Sequence, residues 1–311
     1  MSVDPTPHLI VPFAQCSGDD WLQVVTALKL KNLGYLLRGM KVIGTDNRQA
    51  NSLSPPHERV LAKALQLTTS ADGLIPWAAY EANEVPGKAW AFITLCHWAM
   101  GREHATMTDP ATLDLAEEQS QTLLAAMQPY FSTEGITLHY LQPTRWLAEG
   151  DVFCSLPTAS TDRVLGRNVD RWLPDSKAIK LLQNEMQMLL YSHPVNDTRS
   201  SKGQRTVNSF WLSGSGALTE TASAHPNVRT ARSLAQTALA DDWTAYGKAW
   251  AHLDANDIAS LLAQQKIGKS VRLSLCGESN ALTFETTQHG VLTKVKNLLS
   301  PQPLTNLLEQ L

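Results

Sequence analysis

The chain has 311 residues, 43% of them hydrophobic and 18% charged, which suits one large domain or a core with an inserted second domain. Its formal net charge is -3, so nucleic acid is a poor default partner. No run approaches the roughly 18 apolar residues of a membrane helix, and the acidic, proline-containing start differs from a signal peptide. Four cysteines lie apart without Cys-x-x-Cys pairing, which favours reduced thiols and a cytoplasmic protein.

Hydrophobic periodicity predicts alternating strands and helices in the first half of the chain. Residues 8–13 are an apolar run, and 90–97 are aromatic and β-branched, so both are predicted strands. The predicted helices are 21–37 after Asp19 or Asp20, 58–67 after two prolines, and a long one from 109–110 to 127.

The second half continues with short strands, predicted at 135–140, 145–148, 151–155, 207–212, 270–276 and 282–286. The predicted helices are 177–192, 227–240 and 243–264, followed by two short helices. A loop is predicted at 213–216, where Gly214 and Gly216 permit a sharp turn. Because strands alternate with helices on both sides of residues 90–191, we expect one mostly parallel α/β sheet interrupted by an α+β insertion. The predicted boundaries are 1–88 and 194–311 for the core and 89–193 for the insertion.

The most specific motif lies at 193–216. It consists of His193-Pro194-Val195-Asn196 with Arg199, then Gly203, then Asn208 followed by Gly214 and Gly216. This order resembles the signature of the archaeal-type cofactor-independent phosphoglycerate mutases, in which the segment links an inserted substrate lid to the core. Weaker similarity covers 31–40, 51–67, 109–147, 253–254 and 273–279.

The resemblance implies an alkaline-phosphatase-like fold, with a mostly parallel sheet and an inserted α+β lid. Within the family, 165–174 and 184–188 are most similar to the bacterial group named after the regulation-of-pathogenicity-factors E protein. It also implies a serine nucleophile within 51–67, and divalent metal such as Mn or Mg in an active enzyme.

Two departures from the family pattern affect the metal site. The family's first strand ends in Asp-Gly, but here the sequence reads Pro12-Phe13-Ala14. The family's late Asp-His-Ser is replaced by Gly277-Glu278-Ser279. Two-metal phosphoryl transfer needs several carboxylates and imidazoles to hold the cations and activate a serine. We therefore predict no metal ligand and no resident cofactor.

Ser54 and His57 remain near the nucleophile position and are the catalytic candidates of an active enzyme. The alternative, which the sequence favours, is that Ser54 caps the following helix. A rebuilt metal site would draw on Asp254, Asp257 and Glu278, with His225 or His289. Solvated carboxylates on an exposed helix face are the competing explanation.

We predict substrate- or anion-binding roles for six residues: Arg167, Arg171, His193, Asn196, Arg199 and Asn208. Arg163, Arg167 and Arg171 would line one face of a helix, although interleaved acids allow internal ion pairing instead. Asn196 and Arg199 have an equally weighted alternative, which is to cap helices and pin the hinge. The cluster of His97, Arg102, Glu103 and His104 is a further anion-binding candidate or an ordinary charged turn.

These observations favour a metal-free, non-catalytic mutase-like protein with a binding or regulatory role and a small phosphorylated or carboxylate ligand. An active phosphoglycerate mutase or related phosphotransferase is the alternative, and an interaction module with a closed cleft is the third hypothesis. The sequence identifies no protein partner and predicts neither a nucleic-acid nor a membrane partner.

Overall fold

The computed structural model describes residues 6–67, 71–83, 87–220, 227–287 and 304–311, which form a mixed α/β structure. The chain divides into two compact units: unit 1 comprises Met1–Asn51, Pro55–Gln66 and Ser223–Leu311, and unit 2 comprises Ser52–Ser54 and Leu67–Ala222. These boundaries differ from the predicted ones, because 67–88 and 194–222 belong to the same unit as 89–193. Within the described residues, no helix has the length and apolar character needed to cross a bilayer.

Unit 1 contains a sheet and the helices packed against it. Its strands are β1 (His8–Val11), β2 (Met40–Asn47), β9 (Val228–Thr230), β10 (Arg272–Cys276) and β11 (Asn280–Thr286). Its helices are α1 (Asp19–Ala27), α2 (Lys31–Arg38), α3 (Pro56–Ala64), α9 (Ser233–Leu239), α10 (Trp243–Leu253), α11 (Ala259–Lys266) and α12 (Leu304–Leu308). A π-helical segment, Asp254–Ile258, joins α10 to α11.

The sheet of unit 1 is mixed, which corrects the prediction of a mostly parallel sheet. Its strand order is β2-β11-β10-β1-β9. Strand β1 pairs in parallel with β10 and β9, whereas β11 is antiparallel to both β10 and β2. The sequence did not reveal β2, because most of its residues are exposed and it lacks the buried apolar run that marks β1.

Buried side chains from the strands and helices of unit 1 form one apolar core. Leu9 and Val11 of β1 pack in the same cluster as Leu273 and Leu275 of β10, and Trp250 of α10 is fully buried there. A large indole buried in this way removes much apolar surface from water. Burial of all four β1 residues explains why this short strand is readable from sequence.

Unit 2 combines antiparallel strands with helices. Its strands are β3 (Ala89–Cys96), β4 (Trp98–Met100), β5 (Ala105–Met107), β6 (Thr137–Gln142), β7 (Arg145–Glu149) and β8 (Ser209–Ala217). Its helices are α4 (Trp77–Ala82), α5 (Glu117–Thr133), α6 (Thr161–Val164), α7 (Lys177–Tyr191) and α8 (Pro194–Ser201). The sheet order is β6-β7-β3-β8, and β4 and β5 form a separate hairpin.

The predicted loop at 213–216 is wrong, because these residues belong to β8, in which Ser213 and Gly216 pair with Phe92 and Trp90 of β3. The register shifts between Trp90 and Phe92, and Gly214 and Gly216 have φ of 63° and 144°. A Cβ at Gly214 would lie 2.9 Å from the Phe92 ring. These glycines therefore permit a bulge and close packing, not a ligand loop.

Other predicted elements need local correction. The helix predicted at 21–37 is two helices, and α9 is preceded by a strand that the sequence did not distinguish. The predicted strand at 151–155 is a short 3-10 helix, Asp151–Cys154, and a second one, Pro110–Leu113, precedes α5. Boundaries of this kind depend on packing and capping that periodicity does not report.

Candidate functional site

Ser54, the candidate nucleophile, is a buried residue in a fixed turn. Its exposed fraction is 4%, and its Oγ accepts a hydrogen bond from Gly73 N at 3.1 Å. The Asp72 carboxylate accepts hydrogen bonds from Leu53 N at 2.6 Å and Ser54 N at 3.1 Å, and also from the Ser52 hydroxyl at 2.9 Å. These contacts hold residues 52–54 in a fixed turn, and the serine hydroxyl oxygen accepts one of the hydrogen bonds.

The alternative prediction, that Ser54 caps α3, is wrong. The N-cap of α3 is Pro55, and no side-chain hydrogen bond caps this end of the helix. Pro56 occupies the first helical position, where proline is well tolerated. The serine before the prolines therefore signals the buried turn with Gly73 and not a helix cap.

His57, the second catalytic candidate, lies in the first turn of α3 and is buried. Its ring packs against Phe13, with centroids 5.9 Å apart. Phe13 has φ of 55° just after β1, and its carbonyl accepts a hydrogen bond from the Tyr246 hydroxyl at 2.7 Å. Phe13 thus combines a packed aromatic ring with a left-handed backbone conformation. That backbone conformation is energetically costly for a residue other than glycine, and the surrounding contacts must maintain it.

The three carboxylates of the rebuilt metal site, the alternative that an active enzyme would need, have separate partners. Asp254 accepts hydrogen bonds from the backbone N–H groups of Asn32 and Leu33, Asp257 pairs with Arg229, and Glu278 accepts from the Ser17 hydroxyl. Among the described residues, no three His, Cys, Asp or Glu side chains converge to hold a metal ion. His225 and His289 lie outside the described residues.

The arginine face predicted from residues 163, 167 and 171 does not form. Helix α6 ends at Val164, and a separate 3-10 helix, Val169–Trp172, follows after a turn. Arg163 is buried, and its guanidinium lies 3.5 Å from the Ser54 carbonyl. Arg167 and Arg171 are exposed, so the three side chains do not form one anion clamp.

Arg199 is fully buried and binds backbone and amide oxygens. Its Nε donates to Arg205 O at 2.9 Å, its Nη1 donates to Gln119 Oε1 at 2.7 Å, and its Nη2 donates to Leu113 O. Burial lowers the pKa of Arg199, and the nearby Asp114 charge partly opposes this. The guanidinium thus joins three segments of unit 2.

Asn196 and His193 organise the start of α8. Asn196 Nδ2 donates to Leu190 O at 2.7 Å and Val207 O at 2.6 Å, and its Oδ1 accepts from Val207 N at 3.0 Å. His193 is the N-cap, and its Nδ1 accepts from Val195 N at 3.2 Å. Burial lowers the pKa of His193, although the Asp197 charge acts in the opposite direction.

Two of the predicted residues, Asn196 and Asn208, lie on one cavity of about 410 Å³, which we call the apolar cavity. It is bounded by β4, α7, α8 and the residues before β8. Its lining comprises Trp98, Met100, Leu190 and Tyr191 with Gln187, Asn196, Asp197, Ser200, Thr206 and Asn208. The remaining predicted residues, Ser54, His57, Arg167, Arg171, His193 and Arg199, do not line it.

A second cavity of about 500 Å³, the hairpin cavity, lies beside the β4–β5 turn. It contains three residues of the predicted polar cluster, Arg102, Glu103 and His104, together with Asp170 and Lys180. Trp98, Met100 and Gln187 line both cavities, so the two adjoin along α7. Cavities of this size suit small ligands or single large side chains.

Sequence reasoning missed the α7 wall of these cavities. Lys180, Asn184, Gln187 and Tyr191 recur at intervals of three or four residues and therefore share one side of the helix. The apolar spacing in the sequence predicts the buried stripe of this helix. The polar residues Lys180, Asn184 and Gln187 and the aromatic Tyr191 also recur at helical spacing, and this second pattern is the signal that could have indicated the cavity wall.

Comparison with known proteins gives little independent support for a family. No protein-family model matches the sequence, and no curated protein matches it. A cofactor-independent phosphoglycerate mutase from Thermoplasma acidophilum is similar over 98% of this chain and 99% of its own, with 14% identity and a TM-score of 0.35. The PH0037 protein from Pyrococcus horikoshii is similar over 90% of this chain and 87% of its own, with 10% identity and a TM-score of 0.45.

At these identities and TM-scores, neither similarity supports an assignment of function. The relationship to phosphoglycerate mutases and the alkaline-phosphatase-like fold with a lid therefore stay proposals.

Proposed function

We propose that this chain is a metal-free, non-catalytic relative of the phosphoglycerate mutases with a binding or regulatory role. The main observation behind the proposal is that Ser54, the candidate nucleophile, is buried and hydrogen-bonded within unit 2. A serine nucleophile needs an exposed hydroxyl and a base or metal that activates it. Here Ser54 is 4% exposed, and its hydroxyl oxygen accepts the Gly73 N–H.

The end of β1 and the carboxylates of the rebuilt site support the same proposal. Phe13 follows β1 where the resembled family carries a metal-binding carboxylate, and its ring packs on His57. Asp254 is engaged by the N-terminus of α2. An active mutase would require these groups to be released from their present partners.

The decisive experiment is a mutase assay on the purified full chain with 3-phosphoglycerate, in the presence of Mn²⁺ or Mg²⁺. We expect no formation of 2-phosphoglycerate by the wild type or by Ser54→Ala. Ser52→Ala is the matched control, because it removes a hydroxyl from the same segment. Turnover that disappears in Ser54→Ala and persists in Ser52→Ala would establish the active enzyme instead.

The proposed small ligand is a phosphorylated or carboxylate anion at the hairpin cavity. Arg102 and Lys180 supply cationic donors there, and the His104 imidazole supplies an N–H donor. Glu103 and Asp170 line the same cavity, so recognition depends on directed hydrogen bonds and not on net charge. A ligand bound only to the folded state must raise its thermal stability.

Thermal-shift measurements with inorganic phosphate, 3-phosphoglycerate and citrate test this site. We expect stabilisation by at least one anion in the wild type and its loss in Arg102→Gln. Arg171→Gln is the control, because the sequence predicted this exposed residue as an anion ligand and it does not line the cavity. An equal loss in both variants would point to non-specific charge effects. No stabilisation by any anion would favour the closed interaction module.

The cytoplasmic location is part of the proposal. Cys16, Cys96, Cys154 and Cys276 are all free thiols, a usage typical of a reducing compartment. Burial raises the pKa of Cys96 and of Cys276, so these two thiols are held protonated and poorly reactive. No nucleic-acid partner is proposed for a chain with a formal charge of -3.

A further inference from the structure

The apolar cavity is surrounded by large apolar side chains that face solvent. Met100 is 80% exposed and Tyr191 is 87% exposed, although both line the cavity. A flexible thioether and a tyrosine beside a concavity are characteristic of surfaces that bind other proteins.

Strand β4 offers backbone hydrogen-bonding groups beside this cavity. The Asn208 side chain accepts from Trp98 N at 2.7 Å and donates to Trp98 O at 3.0 Å, on the side of β4 away from β5. In an antiparallel strand alternate residues direct their N–H and C=O to the same side. The N–H and C=O of Met100 therefore point outward on the Asn208 side, where an added peptide backbone can pair with them.

The charge of the apolar cavity restricts its occupant. Asp197 is the one ionised side chain among the described residues that line it. Asp197 is exposed, and its negative charge acts to raise the pKa of the nearby His193. The cavity therefore favours a positive charge next to an apolar group and disfavours an acid.

We propose that the apolar cavity binds an extended peptide segment of a partner protein. A large apolar side chain of that segment enters between Trp98, Leu190 and Tyr191. Its backbone pairs with the outward groups of Met100, and a neighbouring lysine or arginine lies against Asp197. This inference rests on the proposed binding role but uses a different cavity from the anion site.

The test is selection of a phage-displayed dodecapeptide library on the immobilised full-length protein. We expect enrichment of peptides in which a large apolar residue lies within two positions of lysine or arginine. Synthetic fluorescein-labelled copies of the enriched peptides are then titrated by fluorescence anisotropy. Tyr191→Ala, Met100→Ser and Asp197→Lys should each weaken binding by about tenfold.

Two matched controls separate the cavity from the general surface. Met188→Ser removes an exposed methionine of α7 that does not line the cavity, and Glu185→Lys reverses a charge on the same helix. Both should bind within about twofold of the wild type, as non-contacting positions usually do. All five variants replace exposed side chains, so we expect them to fold, and thermal melting curves test this.

Three results would overturn the proposal. They are no enrichment above an unrelated immobilised protein, enrichment of acidic peptides, and equal affinity of wild type and Tyr191→Ala for the enriched peptides. None of these outcomes bears on catalysis, because the mutase assay tests that separately. A peptide-binding protein with mutase activity would refute the proposed function and leave this inference standing.

Discussion

The carboxylate of Asp254 accepts a hydrogen bond from the backbone N–H of Leu33 at 2.8 Å. The same carboxylate accepts from Asn32 N at 3.2 Å, and the N-cap residue of α2, Leu30, provides no side-chain cap of its own. Asp254 thus supplies from a distant part of the sequence the acceptor that the first turn of α2 lacks. A negative charge at this end of a helix also interacts favourably with the helix dipole.

Replacing Asp254 by alanine should destabilise the protein. The substitution leaves two backbone N–H groups at a partly buried helix end without their acceptor, so the free energy of unfolding should fall by about 2 kcal/mol. Urea denaturation measures this. Asp257→Ala is the control, because its pairing with the largely exposed Arg229 should contribute less than about 1 kcal/mol. Unchanged stability in Asp254→Ala with loss of bound Mn²⁺ would identify a metal ligand instead.

Gly73 cannot be replaced without distorting the turn that holds Ser54. Its φ is +76°, and a Cβ would lie 2.6 Å from Leu53 Cδ1 and 3.0 Å from backbone atoms of Thr158. Gly73→Ala should therefore lower the free energy of unfolding by about 3 kcal/mol or more. Gly203→Ala is matched, because Gly203 has φ of +67° but open space around its Cβ position. It should cost about 1 kcal/mol, and equal losses would show that backbone strain alone acts.

The apolar pattern predicts strongly buried elements well. Strand β1 and helix α7 are predicted within two residues of their ends, because β1 is a continuous buried apolar run and the buried residues of α7 recur at helical spacing. Strand β2 was missed because its side chains are mostly exposed. Its pairing with β11 makes the sheet mixed, and such pairing depends on contacts that no local pattern contains.

The candidate site was harder to read than the fold. Ser54 precedes two prolines, a pattern typical of a helix start, but its partner is Gly73, nineteen positions away. The motif at 193–216 singles out Arg199 as a polar residue with either a ligand-binding or a structural role. The structure shows that its guanidinium is buried and donates to Gln119 and to two backbone carbonyls. Polar residues can be identified from the sequence, but their availability to a ligand depends on whether they are buried and hydrogen-bonded within the fold.

Arg199 should be required for stability and not for ligand binding. Arg199→Leu leaves the Gln119 amide oxygen and two carbonyls without their donor, and it should lower the free energy of unfolding by about 3 kcal/mol. Arg205→Ala is the control, because its exposed side chain donates to the Thr112 hydroxyl and its carbonyl is retained. If Arg199→Leu melts like the wild type but loses stabilisation by phosphate, then Arg199 is an anion ligand.

His193 should make the stability of the protein depend on pH. Neutral His193 caps α8 through Nδ1, which cannot accept the Val195 N–H once it is protonated. Burial holds the pKa of His193 in the folded state below its unfolded value of about 6.5. The unfolded chain therefore binds the proton more readily, so the stabilisation is present above about pH 6.5 and is lost as the pH falls through the folded pKa.

Urea midpoints measured between about pH 8 and about pH 5 report this loss, because protonation of the unfolded state is linked to unfolding. His193→Asn keeps a capping oxygen but does not titrate in this range, so its midpoint should fall less steeply than that of the wild type. Asp197→Asn removes the charge that opposes the shift, so it should lower the pKa of folded His193 further and extend the fall to lower pH. Parallel curves for wild type and His193→Asn would show that other groups govern the acid response.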